Sequence, residues 1–258
     1  MIDININPVA FLSVRWYGIF IVLAIVAIIL WTLWQVRKGA KISYDTVFTA
    51  ALVGIPSAIV LSRLFHVIDL WDHYSQNPGQ IIGGSGLSAY GAILGAALGI
   101  WVYSRFSKHQ FGYLADVIAP SIILAQAIGR VGCTINGCCY GIACDLPWAI
   151  IYTNPDSLAP LGIPVHPTTI YEITYLLIIF GVVLMLRRRL KPDGSLFMVY
   201  LSLYSLWRLG TDFLREGTPF ILGLHQAQVI AITVLVIVVP LLALRTRWVR
   251  VEEESEGE

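Results

Sequence analysis

A bilayer crossing takes about 20 mostly apolar residues, and this 258-residue chain comes close to that length seven times, roughly at 11–35, 47–69, 87–105, 114–135, 168–187, 195–214 and 226–245. Between these stretches the positive charge is unevenly placed. Arg37, Lys38 and Lys41 follow the first stretch, Arg105 and Lys108 the third, Arg187, Arg188, Arg189 and Lys191 the fifth, and Arg245, Arg247 and Arg250 the seventh. The loops 70–86, 136–167 and 216–225 contain neither Lys nor Arg. Cationic loops stay on the cytoplasmic side, so the pattern predicts an all-α membrane protein of seven transmembrane helices, N-terminus outside and C-terminus cytoplasmic, capped by a small extracytoplasmic segment. A composition of 57% apolar and 13% charged residues, with a mean hydropathy of +0.75, is far from that of a soluble domain. One seven-helix domain over 1–250 is expected, followed by a disordered acidic tail at 251–258. The first apolar run is too long for a signal-peptide core and is read as a retained span.

Of the seventeen basic residues, twelve are accounted for by this topology, leaving Arg15, Arg63, Arg130, Arg208 and Arg215. All five fall in or near the outward half of the expected bundle. An arginine in hydrocarbon costs about 3 kcal/mol at mid-span on insertion scales, so either each snorkels to the outer headgroups or they converge on a shared anion. Arg208, Asp212 and Arg215 lie at helical spacing and predict a polar stripe on one face of the sixth span.

Polar character peaks at Gly129-Arg130-Val131-Gly132-Cys133-Thr134-Ile135-Asn136-Gly137-Cys138-Cys139-Tyr140-Gly141, where an arginine, an asparagine, three thiols and several glycines end an apolar run. Glycines allow close approach of backbone to a ligand or to itself, and the stretch reads as a site for an anion. Gly91, Gly95 and Gly99 form a small-residue ridge that admits a close helix neighbour, with Ser88 and Tyr90 just before it. Tyr90 fits an interfacial aromatic belt as well as a site. His166-Pro167-Thr168-Thr169-Ile170-Tyr171-Glu172 opens the fifth span. Here Thr169 and Glu172 fit a capping box, while His166 and Glu172 also suit a polar pocket with Arg130. Residues 142–165, with four prolines, are read as turns over that pocket. Asp116 is expected to be structural, stabilised by the dipole of its own helix. The sequence carries no internal repeat, no nucleotide-binding glycine loop and no nucleic-acid signature.

With these residues in place, the chain resembles the prolipoprotein diacylglyceryl transferase family over nearly its whole length. The matching blocks run in order: Arg15-Trp16-Tyr17-Gly18; Arg63; Gly86-Leu87-Ser88 with Gly91 and Gly95; Ala115-Asp116-Val117-Ile118-Ala119-Pro120; Gly129-Arg130-Val131-Gly132 with Asn136, Gly137 and Gly141; His166-Pro167-Thr168 with Tyr171 and Glu172; Tyr204, Arg208, Asp212 and Arg215; and Gln228. The resemblance implies a multi-pass enzyme of the bacterial plasma (inner) membrane. Its site faces the outer leaflet, where it moves a diacylglyceryl group from phosphatidylglycerol to the cysteine thiol of a prolipoprotein signal peptide. It implies Arg130, Arg208 and Tyr90 as catalytic residues. Substrate-binding residues would be Tyr17, Arg63, Ser88, Asn136, Gly141, His166, Glu172, Tyr204, Asp212, Arg215 and Gln228. No cofactor, no metal and no nucleic acid is expected; the partners are the two substrates and the bilayer itself.

The chain departs from the family where it carries Tyr90 in place of a typical histidine, Cys133 in place of asparagine and Cys138 in place of glutamate. Tyrosine, with an ordinary pKa near 10, is a poor base at neutral pH. Cys133, Cys138, Cys139 and Cys144 fall on the expected outer side, where a disulfide closing Cys144 on Cys138 or Cys133 is one reading. A use of thiols on substrate is another; a metal is not assigned, because His166 is the nearby imidazole candidate and thiolate sites usually have closer spacing. A non-catalytic or divergent lipid-binding paralogue, a lipid transferase with another acceptor, and a transporter are the alternative functions.

Overall fold

Apolar stretches of this length have one way to satisfy their own N–H and C=O groups in lipid, the helix. The computed structural model describes all residues except 13, 70, 84–87, 188, 216–222 and 249–258, with backbone alone at 69, 83, 89 and 90. The Gly86-Leu87 pair, Arg188, Arg250, the acidic tail, most of the 216–225 loop and the Tyr90 side chain thus lie outside the described residues. The helices are α1 (Trp16–Arg37), α2 (Tyr44–Asp69), α3 (Trp71–Gln76), α4 (Gln80–Gly83), α5 (Ala89–Phe106), α6 (Phe111–Asn136), α7 (Thr168–Leu186), α8 (Ser195–Thr211) and α9 (Gln226–Arg245). Five of them, α1, α2, α6, α7 and α9, are long and apolar enough to cross a membrane by length and composition.

The chain forms two compact bodies, one of residues Met1–Trp31 with Ala115–Glu258 and one of Thr32–Leu114. In the first, α6, α7 and α8 enclose a core of Ile123, Ala127, Leu176, Ile179, Val183, Leu196 and Tyr200. The Tyr200 hydroxyl donates to Gln126 Oε1 at 2.9 Å, so its polar end is satisfied inside that core. Helix α1 runs close to α6 at Gly132, where a Cβ would meet Phe20 Cβ at 2.8 Å and Tyr17 Cα at 3.2 Å. In the second body α5 lies against α2 along the glycine ridge: a Cβ on Gly91 would meet Ser62 Cα at 2.7 Å, and one on Gly95 would meet Ala58 Cα at 2.8 Å. Ser62 Oγ donates to the Ser88 carbonyl at 2.8 Å, and Ser88 N–H returns a bond to the Ser62 carbonyl at 3.1 Å.

The segment expected to be turns between α6 and α7 contains a small sheet. Ile2–Ile4 pairs in parallel with Ile150–Tyr152, which pairs antiparallel with Pro164–Val165. Its buried side, Ile150, Tyr152, Ala159 and Val165 with Ile4 and Tyr140 against them, is a second apolar cluster. Strands of two or three residues are too short for a period-two pattern to register in the sequence.

Two expectations are corrected. Helix α8 stops at Thr211 rather than reaching 214; Asp212–Leu214 is a 3-10 turn, and Arg215 is extended, with φ −111° and ψ 143°. The helix is drawn off its course because Ile142 N–H donates to the Leu214 carbonyl at 2.9 Å and Gly141 pairs with Arg215. Arg208 and Arg215 therefore do not share a helix face. Asp116 is structural as expected, but through another helix than its own. Its Oδ2 accepts from Gly194 N–H and its Oδ1 from Phe197 N–H, each at 2.8 Å, at the N-terminal cap of α8. Gly194 has no side chain to cap with, so the carboxylate on α6 satisfies donors that the helix start would otherwise orphan. We predict that Asp116→Ala lowers stability to unfolding in detergent by about 2 kcal/mol; an unchanged unfolding transition would contradict the capping role.

Candidate active site

The site is built where α6 ends. Gly137, at φ +70°, terminates the helix in the left-handed region that a side chain resists, and the backbone then folds back. Cys138 N–H donates to the Cys133 carbonyl at 3.1 Å and Gly137 N–H to the Thr134 carbonyl at 3.4 Å, the paired bonds of a Schellman ending. This turn sets Cys138 over Cys133 one helical turn beyond Arg130. Cys139 follows in a left-handed conformation of its own, φ 62°, its carbonyl held by Thr168 Oγ1 at 2.6 Å.

Arg130 donates through Nε to Glu172 Oε1 at 2.9 Å. The Glu172 carboxylate is 2% exposed, and its Oε1 also accepts from the Tyr204 hydroxyl at 3.0 Å. Helices α6, α7 and α8 each contribute one member of this triad. The capping box expected from Thr169 and Glu172 is not formed, because Thr169 Oγ1 instead accepts from Thr134 Oγ1 at 2.8 Å and Glu172 turns to the arginine. With Nε committed, Arg130 Nη1 lies 3.8 Å from Cys133 Sγ and 3.7 Å from Cys139 Sγ.

Other charges gather on the same neighbours. Arg208 pairs with Asp212 at 3.1 Å, and its charge and that of Arg130 both act on the Tyr204 hydroxyl. Asp212, 3% exposed, also bonds His225 Nδ1 at 2.8 Å, so of the two arginines at helical spacing it takes Arg208, and its second partner is His225. Hydrogen bonds from the Cys133 and Cys138 thiols, with the Arg215 and Arg130 charges nearby, hold the Cys139 thiol well below its ordinary pKa. Arg215 Nη1 is buried without a hydrogen-bond partner among the described residues. Arg15 Nη1 donates to the buried Asn136 Oδ1 at 2.9 Å.

The remaining candidates divide. Gly141 acts through its backbone, donating to the His166 carbonyl at 3.0 Å, with no room for a Cβ, which would lie 2.6 Å from His166 Cβ. His166 Nδ1 is 3.5 Å from the Tyr171 hydroxyl. Gln228 Oε1 accepts from His225 N–H at 3.0 Å at the start of α9, while its Nε2 is buried without a partner among the described residues. Tyr17 sits in the second position of α1, 40% exposed. In the second body, Arg63 donates through Nε to the Ile81 carbonyl at 2.8 Å and lies 5.1 Å from the Tyr74 ring centroid; Ser88 caps α5, and Tyr90 is in its first turn.

Reasoning from sequence left out His225, the second partner of Asp212. Its one signal was its place ahead of the seventh span. One reading of the sequence closed Cys144 on Cys138 or Cys133 as a disulfide, and spacing argued against a thiolate cluster, whereas all four cysteines are free and the sulfurs of Cys133, Cys138 and Cys139 lie within 4.8 Å of one another. Only the turn at Gly137 could have revealed this.

Fold and site together define a membrane-embedded helical protein that collects arginines and buried carboxylates at the end of α6. A family model for prolipoprotein diacylglyceryl transferase matches residues 5–244, so the chain belongs to that family. It is 50% identical over 251 residues, 96% of both chains, to a phosphatidylglycerol–prolipoprotein diacylglyceryl transferase of Dehalococcoides mccartyi. Proteins of the same description from Acaryochloris marina and Clostridioides difficile are 36% and 33% identical, covering 85% and 86% of this chain and 82% and 86% of their own length.

Proposed function

We propose that this chain transfers the diacylglyceryl group of phosphatidylglycerol to the cysteine thiol of a prolipoprotein signal peptide. The observation that carries the reading beyond family membership is Arg130, clamped through Nε by the buried Glu172 carboxylate, with Arg208 likewise held by the buried Asp212. In the reaction the thiol loses its proton and the sulfur attacks the glyceryl carbon that bears the phosphate. The carbon–oxygen bond breaks, a thioether forms and glycerol phosphate leaves. Negative charge grows on that leaving phosphate, and guanidinium groups already in place stabilise it more than they stabilise the intact lipid. The same positive field favours the acceptor as thiolate.

In this reading Arg130 and Arg208 are the catalytic cations that bracket the phosphate, and Tyr90 is a third catalytic residue, by the hydrogen bonds a phenol can make. Arg215, with its unpartnered Nη1, offers the anion a donor. Tyr17, Asn136, His166 and Tyr204 line the substrate space, Glu172 and Asp212 orient the arginines, and Gly141 and Gln228 hold the surrounding backbone. Arg63 and Ser88 have a supporting role in substrate binding. The protein is one domain over 1–250 with a tail at 251–258, crossing the bacterial inner membrane seven times, its 136–167 cap and its site at the outer leaflet. The five long apolar helices and the absence of Lys and Arg from the three alternate loops support that topology.

We predict that purified chain releases glycerol phosphate from phosphatidylglycerol when given a peptide with an acceptor cysteine. Arg130→Lys, which keeps the charge but loses the planar fork, should lower turnover about 100-fold or more while inserting normally, and Arg63→Lys should be milder. Equal turnover in Arg130→Lys would contradict the assignment. A cysteine introduced at Ser255 should resist an impermeant thiol reagent on intact cells and react once the membrane is opened; labelling of intact cells would reverse the topology.

A further inference from the structure

The thiols of Cys133, Cys138 and Cys139 are arranged as a set of three. A structural disulfide needs two sulfurs at about 2.05 Å and would leave the third unused. A metal bound by three thiolates at about 2.3 Å sets them about 3.8 Å apart in tetrahedral geometry, and the observed triangle, with every sulfur within 4.8 Å of the others, needs only a small contraction to reach it. The scaffold is preformed. Cys133 is fixed in α6, Cys138 is returned over it by the two backbone bonds of the helix ending, and Cys139 is aimed by its left-handed backbone and by the bond from Thr168 Oγ1 to its carbonyl.

Charge and donor count point the same way. Three thiolates and one divalent cation carry a net negative charge, and Arg130 Nη1, 3.8 Å and 3.7 Å from the Cys133 and Cys139 sulfurs, supplies the positive neighbour that such a centre needs when half-buried. Among the described residues no fourth His, Cys, Asp or Glu joins the group. Three protein ligands with an open fourth position are the mark of zinc centres that do chemistry, whereas structural centres are closed by four. Sulfur donors select thiophilic cations over magnesium or calcium.

We propose that Cys133, Cys138 and Cys139 form a three-thiolate site for a zinc-class cation whose fourth coordination position takes the thiol of the acceptor cysteine. This rests on the transferase reading, and it supplies the step for which Tyr90 is poorly suited. The acceptor thiol gives up its proton to water on binding the cation. The bound sulfur then donates an electron pair to the glyceryl carbon, the bond from that carbon to the phosphate oxygen breaks, and glycerol phosphate leaves with the electron pair of that bond. The thioether product, a weaker ligand than thiolate, departs from the cation. The arginines act on the leaving group and the cation on the nucleophile.

The test uses the full chain in detergent with cobalt(II) as spectroscopic probe and zinc as activator. We expect about one cobalt per chain in a tetrahedral, sulfur-rich spectrum. Cys133→Ser, Cys138→Ser and Cys139→Ser should each weaken binding by about 100-fold or more, since losing a ligand exceeds the ~10–100-fold effect of losing an outer-shell partner, while Cys144→Ser should bind as the parent does. Thermal unfolding identifies any variant that fails to fold, and for such a position the cysteine is alkylated in the folded parent instead, with the same expected loss. A cysteine-containing acceptor peptide should strengthen the sulfur-to-cobalt absorption and its serine counterpart should not. Chelation should abolish transfer and zinc restore it. Full transfer by metal-free chain, cobalt binding unchanged in Cys138→Ser, or a disulfide within the trio in active protein would overturn the metal site and leave the transferase reading standing. Tight cobalt binding by the metal-free chain, with no glycerol phosphate released once zinc is loaded in its place, would overturn the transferase reading, and with it the role given to the fourth position.

Discussion

The Arg130–Glu172 pair is the interaction on which the rest of the site depends. A carboxylate as buried as Glu172 is tolerable only with a charged, hydrogen-bonded partner, and removing one member of such a pair costs about 3–5 kcal/mol because the other is left uncompensated. Here the partner comes from a different helix and a third helix contributes the Tyr204 hydroxyl. The core of α6, α7 and α8 beneath them must therefore set the helix registers so that these three groups meet, and the meeting fixes which edge of the guanidinium is spent and which is free.

Satisfying buried polar groups recurs through the fold. Asp116 and the start of α8 are joined by two backbone donors that glycine leaves uncapped, and Asp212 ties the end of α8 to His225 ahead of α9. These bonds sit at opposite ends of α8, so the helix carrying Tyr204 and Arg208 is held at both. Gly141 and Gly132 make the complementary contribution, admitting backbone and side chains where a Cβ would collide.

Much of the architecture was legible in the chain because lipid simplifies the problem: long apolar runs become helices, and α1, α2, α5, α6, α7 and α9 fall within a few residues of the stretches that composition marks. The end of α8 was not legible, since what stops it at Thr211 is a contact with residues 141 and 142, remote in sequence. The same limit hid the sheet that takes Ile2–Ile4 to Ile150–Tyr152. For the site, arginines left over from topology marked the region, and Arg130 does meet Glu172 and Tyr204. Pairings were only partly readable: of two readings for Glu172 the one with Arg130 is formed and the one with Thr169 is not, and Asp212 keeps Arg208 but takes His225 as its second partner, because spacing along one helix says nothing of partners on another.

Glu172 works by holding Arg130, and the direct measurement of this is a double-mutant cycle on glycerol phosphate release with Arg130→Lys, Glu172→Gln and both together. If the carboxylate acts through the arginine, each single change should cost heavily and the double variant should be little worse than Arg130→Lys, a coupling of about 2 kcal/mol. Losses that simply multiply, with a coupling near zero, would mean that the two residues act independently and would remove the clamped guanidinium from the centre of the mechanism.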